Sequence, residues 1–386
     1  MHSFRAPASL LVSSLCLAAC VSAEADSSTL SRDEVDPVAA RYAELVEANY
    51  ADVLADAEVL RDMIADFVAA PSEQGLVAAR EAWLDARESY GQTEAFRFYD
   101  GPIDGPVDGP EGRLNAWPMD ESYVDYVEGA PDAGIINDPT QYPSIDADLL
   151  ASLNEAGGET NIASGYHAIE FLLWGQDLAT DGPGERPFTD YVDDEDGTAM
   201  HQERRADYLL AAADLLVADL EGLVVAWEPG ASNYAAEFVA EPPEEVVRRM
   251  LLGIGSLSGA ELAGERIEVA LATQDQEDEH SCFSDNTHRD IVTNALGIQN
   301  VYLGRYAGET GPSLHDLVAA RDAELADRLR DEIAASVAAA EAIPAPFDRA
   351  IVEHRESIEA TVEALRTQAD TIAEVAAVFE LTLALE

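Results

Sequence analysis

The chain has 386 residues, 47% of them hydrophobic, enough to build a packed core and too many for global disorder. It carries 76 Asp and Glu against 22 basic residues, a net charge of −54, and every basic residue is Arg. Such a surface repels DNA, RNA and anionic lipid and attracts cations. It also fits adaptation to a salty environment, so the total charge alone does not point to a metal site.

Residues 1–19 read as a targeting segment, with Arg5, an apolar stretch from Ala8 and small residues before Cys20. The ending "LAAC" has the form of a bacterial lipobox. It predicts that Cys20 is acylated and that the exported protein is lipid-anchored to the cell envelope, with the outer membrane expected. Residues 20–35 read as a flexible tether. No later stretch reaches the roughly 18 apolar residues of a membrane span. Cys16 leaves with the signal and Cys20 takes lipid, so Cys282 has no disulfide partner.

From Asp36 to Ala70 apolar residues recur three and four apart, Pro37 suits a first helical turn and Pro71 ends the pattern. A second helix is expected over 72–98 with Ser72 as its N-cap. Further amphipathic patterns cover 202–226, 243–273, 287–304, 313–342 and 347–384, and no strand alternation is convincing. The fold class is therefore all-α, helical bundles in two parts, 36–197 and 198–386, with a long irregular insert in the first. The insert, 99–161, opens with Asp-Gly-Pro three times. These are turn formers that forbid a continuing helix, and their spacing is not that of a calcium loop. An insert of this length is expected to line a functional surface. A second acidic loop follows at 181–197. Gly253, Gly255, Gly259 and Gly264 imitate a nucleotide fingerprint, but no strand precedes them and no lysine exists. They read as close helix packing.

Three polar clusters could carry chemistry. His167 and Glu170, three apart in the apolar run "GYHAIEFLLWG", would share one helix face and could reach one metal ion. The same spacing suits a buried His–Glu hydrogen bond that locks two helices together. Gly165 leaves room for an approaching backbone or ligand. Arg87, Tyr90, Glu94 and Arg97 form a second stripe, either lining a cleft or making an exposed Arg–Glu ladder. The third cluster is "QDQEDEHSCFSDNTHRD", 274–290. Asp275, Glu277, Asp278, Glu279 and His280 crowd beyond a helix C-terminus, where the dipole repels anions. This segment reads equally as a ligand loop or as a solvated run with Asp285 or Asn286 capping the next helix. Cys282 is either a soft ligand or a small buried residue. There is no His-Glu-x-x-His and no Gly-x-Ser-x-Gly.

Five blocks carry a family resemblance: "YGQTEAFRFYDGPID" (90–104), "LNAWPMDESYVDYV" (114–127), "NIASGYHAIEFLLWGQDL" (161–178), "RPFTDY" (186–191) and "DQEDEHSCFSDNTHRDI" (275–291). Together they resemble the imelysin family, in its iron-regulated outer-membrane lipoprotein branch. The resemblance implies two similar four-helix bundles with a site at their interface and a role in iron acquisition. That family has been classed among metallopeptidases, which its fold and motif surroundings support poorly. Carried over, Gly165, His167 and Glu170 are the motif; Tyr90, Glu94 and Arg97 face it; the 278–286 loop closes it. The expectation is a metal held by His167, Glu170 and Glu94, with Gly165, Tyr90, Arg97, Glu121, Asp278, Glu279, His280, Cys282 and Asp285 binding or supporting. Iron, as Fe2+ or Fe3+, suits such ligands best, with zinc, copper or manganese as alternatives. The expected partners are a metal ion or iron chelate, the membrane, and an outer-membrane or periplasmic iron-transport protein. The rival readings are a metallopeptidase using the His-x-x-Glu pair and a structural or adhesive lipoprotein.

Overall fold

The computed structural model describes residues 30–179 and 182–385. The expected signal segment, Cys20 and most of the tether lie outside the described residues. The first helix, α1 (Arg32–Ala69), starts four residues before the expected point. The Glu34 carboxylate accepts from the Ser31 N–H (3.1 Å) and hydroxyl (2.6 Å), and Leu30 and Val35 are both buried, a capping box with its hydrophobic staple. The end of the tether is thus helical, and Pro37 lies inside the helix. Ser72 does cap α2 (Glu73–Thr93), accepting from the Gly75 N–H at 3.2 Å.

The remaining long helices are α3 (Gly165–Trp174), α4 (Gln202–Trp227), α5, α6 (Thr287–Leu303), α7 (Ala323–Glu341) and α8 (Arg355–Val378). α5 is α-helical over Pro243–Ser256, π-helical over Leu257–Glu268 and α-helical again over Val269–Thr273. α1 packs on α2 and α4, with α3 against α2 and α4; α5, α6, α7 and α8 pack on one another. A division at 198 therefore falls one helix early, because α4 buries its Leu and Ala face against α1. The two groups meet chiefly where α2 lies along α6, and one hydrophobic core runs through both. The patterns at 313–342 and 347–384 are each broken into a short and a long helix, Leu314–Ala319 before α7 and Phe347–Glu353 before α8. A two-residue hairpin, Arg305–Tyr306 with Glu309–Thr310, is too short for alternation to reveal.

The insert is not structureless. It holds four short helices, Glu111–Leu114, Glu121–Val124, Gly134–Asn137 and Ala147–Leu153. Its anchor is the buried Asp125, which accepts from Arg186 (2.8 Å) and twice from Arg205 of α4 (2.7 and 2.9 Å). Burial would raise this carboxyl, but the two guanidiniums hold it below the usual range. Among the described residues no helix is long and apolar enough to cross a membrane.

Candidate functional site

The apolar helix α3 is buried on every side, including His167 and Glu170. Its first residue, Gly165, has φ +85°, and a Cβ there would stand 2.5 Å from the Leu114 carbonyl oxygen. Glycine is thus required twice, by the left-handed backbone and by the approach of the insert. The room it leaves is taken by backbone, not ligand.

His167 Nδ1 lies 2.9 Å from Glu170 Oε2. Glu170 Oε1 accepts from the Ser284 N–H (2.9 Å) and hydroxyl (2.6 Å), which ties α3 to the 274–286 loop of the other helical group. That loop brings His280 to His167, with ring centres 4.7 Å apart at 82°. His280 Nδ1 lies 2.8 Å from Asp290 Oδ2 of α6, and Arg87 of α2 holds Asp290 Oδ1 at 3.1 and 3.2 Å. Trp117 of the insert stacks against His167 with centres 5.0 Å apart. Each imidazole therefore has its Nδ1 fixed by an acidic side chain. In both, Nε2 is buried and has no hydrogen-bond partner.

Burial pushes the Glu170 carboxyl up to about 8 and, with His280 and Arg87 nearby, holds the His167 imidazole well below its usual range. Burial and Arg266 lower His280 to about 4 against the pull of Asp290. Asp290 stays ionised because Arg87 and His280 outweigh its burial. At neutral pH both rings are uncharged. His280 donates Nδ1–H to Asp290, which leaves its buried Nε2 bare. Behind His280 stands a carboxylate, and behind His167 a carboxyl that keeps its proton at neutral pH; an acidic group behind each histidine is the arrangement that orients imidazole ligands on metals.

Glu94 does not join them. Its Oε2 accepts from Arg97 and Arg266, both at 2.7 Å, and its Oε1 from the Asn115 amide at 3.1 Å. Burial would raise its carboxyl, but Arg266 and Arg97 hold it at about 2. The expected set of His167, Glu170 and Glu94 is not assembled: among the described residues no three His, Cys, Asp or Glu side chains close around one point. The stripe at the end of α2 and in the turn after it is no exposed ladder, with Arg87, Tyr90 and Glu94 buried and Arg97 partly so, but its groups are spent on ion pairs and packing. Tyr90 stacks on Tyr166, its hydroxyl has no partner, and it orients no carboxylate. Arg97 pairs with Glu94 and Glu111.

Asp278 and His280 line a cavity of about 530 Å3, together with Trp117, Glu111, Glu261 and Arg266. Glu121 instead accepts from Gln176 at 2.8 Å and lies beside the Glu277 carboxyl. Cys282 is buried, and burial with nearby Glu170 raises its thiol so far that no thiolate is available. Neither Asp285 nor Asn286 caps α6 through its side chain. Glu279 and Asp285 are buried, and the histidines' Nδ1 partners are Glu170 and Asp290 instead.

Sequence reasoning missed the roles of Asp290, Ser284, Asn115 and Arg266. Asp290 carried no signal beyond helix position. Arg266 reaches Glu94 from the π-helical turn, where residues five apart stack; its guanidinium meets Glu261 at 2.8 Å. The close approach of that helix depends on Gly253, whose Cβ would stand 2.7 Å from the Ala95 carbonyl oxygen.

The imelysin family model (peptidase M75) matches residues 46–372. An iron-regulated protein A of Synechococcus elongatus is 26% identical over 327 residues, 81% of this chain and 76% of that protein. The crystal structure of a candidate iron-regulated protein A precursor from Parabacteroides distasonis superposes with a TM-score of 0.72 at 20% identity, covering 91% of this chain and 96% of the other. An imelysin-like protein from Psychrobacter arcticum gives 0.68 at 16% identity, covering 92% and 98%. At those identities the structures speak for the fold. With its all-helical architecture and a family match over most of its length, the chain belongs to the imelysin family.

Proposed function

We propose that this chain is an exported, lipid-anchored protein of iron uptake that holds a metal cargo, without turnover, at the His167–His280 pair. The observation that carries this reading is the two buried, unpartnered Nε2 atoms on touching rings, each ring fixed from behind by an acidic side chain. Two imidazoles fit a borderline ion such as ferrous iron, and also zinc, copper or manganese. With two protein ligands, most of the coordination sphere is left to water or to a chelate, which suits loading and release better than permanent retention. The iron-regulated relative supports the assignment to iron. The lipobox at Cys20 supports the anchor, and an envelope iron-transport partner follows from that location.

A peptidase reading would need a carboxylate base free beside a metal-bound water. Glu170 has both oxygens engaged, one by His167 and one by Ser284, so no observation favours it. Anaerobic titration of the purified protein with Fe2+, compared with Zn2+, Cu2+ and Mn2+, tests the proposal. A saturable site lost in His167→Ala, with no cleavage of unfolded substrates by the loaded protein, is expected. Metal uptake equal in parent and His167→Ala would end it.

A further inference from the structure

The cavity of about 530 Å3 beside the histidine pair is walled by the insert, by the π-helical turn of α5 and by the 274–286 loop. Of the two imidazoles, His280 lines it and His167 does not. Trp117 lines it as well, and His167 lies behind both, its ring centre 4.7 Å from that of His280 and 5.0 Å from that of Trp117. Asp290 takes His280 Nδ1, so the ring atom left for a ligand is Nε2, which is buried and has no partner.

The cavity wall carries two guanidiniums, and both are already committed. Arg97 meets Glu94 at 2.7 Å, Glu111 at 3.1 Å and Glu261 at 3.8 Å. Arg266 meets Glu94 at 2.7 Å and Glu261 at 2.8 Å. Glu94, Glu111 and Glu261 thus outnumber the positive charges they share. Four more carboxylates of the wall, Glu155, Glu159, Glu265 and Asp278, pair with no arginine among the described residues. Arg97 keeps a bare Nε–H, but no positive charge in the wall is left unshared. Acidic residues outnumber basic ones across the whole chain, so acidity alone assigns nothing. What is particular to this cavity is the bare imidazole nitrogen in a wall with no arginine to spare. An anion that enters meets repulsion and no vacant partner, whereas a cation meets attraction and a ligand. The volume takes a hydrated ion or a small organic chelate, so charge and not size discriminates.

Resting on a metal cargo at the histidine pair, we infer that this cavity is the entrance to the pair and that it admits the hydrated divalent cation while excluding metal held in an anionic chelate. Glu155, Glu159 and Glu265 are exposed at its mouth and Asp278 is half-buried two residues from His280. They draw the ion inward through its water shell and hold no fixed ligand position. His280 Nε2 then replaces one of the bound waters, and His167 is reached behind it. A chelator that delivers metal to this chain gives it up outside the cavity.

The test offers the full chain, without oxygen, either Fe2+ or ferrous nitrilotriacetate, an anionic complex whose chelator carries a radiolabel. Uptake is followed by stopped-flow quenching of tryptophan fluorescence, since Trp117 stacks on His167. The parent should take up iron saturably from either source and retain no labelled chelator. Glu155→Gln/Glu159→Gln/Glu265→Gln should slow Fe2+ association at least about fivefold in about 20 mM NaCl and match the parent in about 1 M NaCl, where charges are screened within about 3 Å. Glu58→Gln/Asp62→Asn/Asp66→Asn, on α1 away from the lining, removes the same charge and should associate within about twofold of the parent. All six positions are exposed, so neither variant endangers the fold. Three results overturn the entrance and leave the histidine reading standing: chelator retained with the iron and lost with it in His280→Ala, parent-like association of the cavity variant at low salt, or equal slowing by the α1 variant. Fe2+ uptake equal in parent and His167→Ala removes the histidine reading, and the entrance with it.

Discussion

The rings of His167 and His280 meet edge to face, 4.7 Å between centres, although 113 residues of chain separate them. One ring comes from α3 and the other from the loop before α6, so neither helical group can build the pair alone. His280→Ala should therefore cost as much metal affinity as His167→Ala, at least about tenfold, although only His167 lies in the Gly-x-His-x-x-Glu motif. Anaerobic Fe2+ titration of both variants decides it. Parent-like binding by His280→Ala would show that the motif histidine works with other ligands.

Asp290 has two tasks, holding His280 Nδ1 and neutralising the buried Arg87. Asp290→Asn should lower metal affinity about 10- to 100-fold by freeing the ring. It should also cost about 3–5 kcal/mol in urea unfolding, because Arg87 is left charged and buried. Adding Arg87→Met should recover most of the stability and none of the affinity. If affinity returns together with stability, Asp290 serves packing only.

Much of this was legible from residue order. The helical periods of α2, α5 and α6 fall within a few residues of the observed elements, and the motif pair contacts the 274–286 loop, which the sequence also singles out. The start of α1 was missed because its cap, Ser31 with Glu34, lies in a stretch whose composition resembles a tether. Glu94 was misread for a different reason. A carboxylate three residues from Arg97 looks free to bind metal until Arg266, 172 residues later, is folded onto it. Whether a buried charge is available depends on partners far away in sequence, and the π-helical winding that delivers Arg266 leaves no periodic signature.

The motif glycine supplies a prediction about the fold. Gly165→Ala combines a strained φ of +85° with a Cβ 2.5 Å from a fixed carbonyl of the insert. A loss of more than about 1 kcal/mol in urea unfolding is expected. The displaced 113–115 backbone should also disturb Asn115, which bridges Arg87 and Glu94. A neutral substitution would mean that the insert docks less tightly than this contact requires.

Glu94 gives the acid limit of stability. Its carboxyl is held at about 2, against 4.5 when unperturbed, because Arg266 and Arg97 outweigh its burial. A depressed folded value means that the stabilisation is complete above 4.5 and is lost as pH falls toward 2. The amount is on the order of 3 kcal/mol. Parent protein should therefore lose urea stability steeply between pH 4.5 and 2, whereas Glu94→Gln should start lower at pH 7 and fall less over the same window. Metal affinity of Glu94→Gln should drop far less than that of His167→Ala, because Glu94 bonds two arginines and an asparagine and neither histidine. Equal acid slopes in parent and variant would show that Arg266 and Arg97 are balanced by other carboxylates, with Glu111 and Glu261 the nearest.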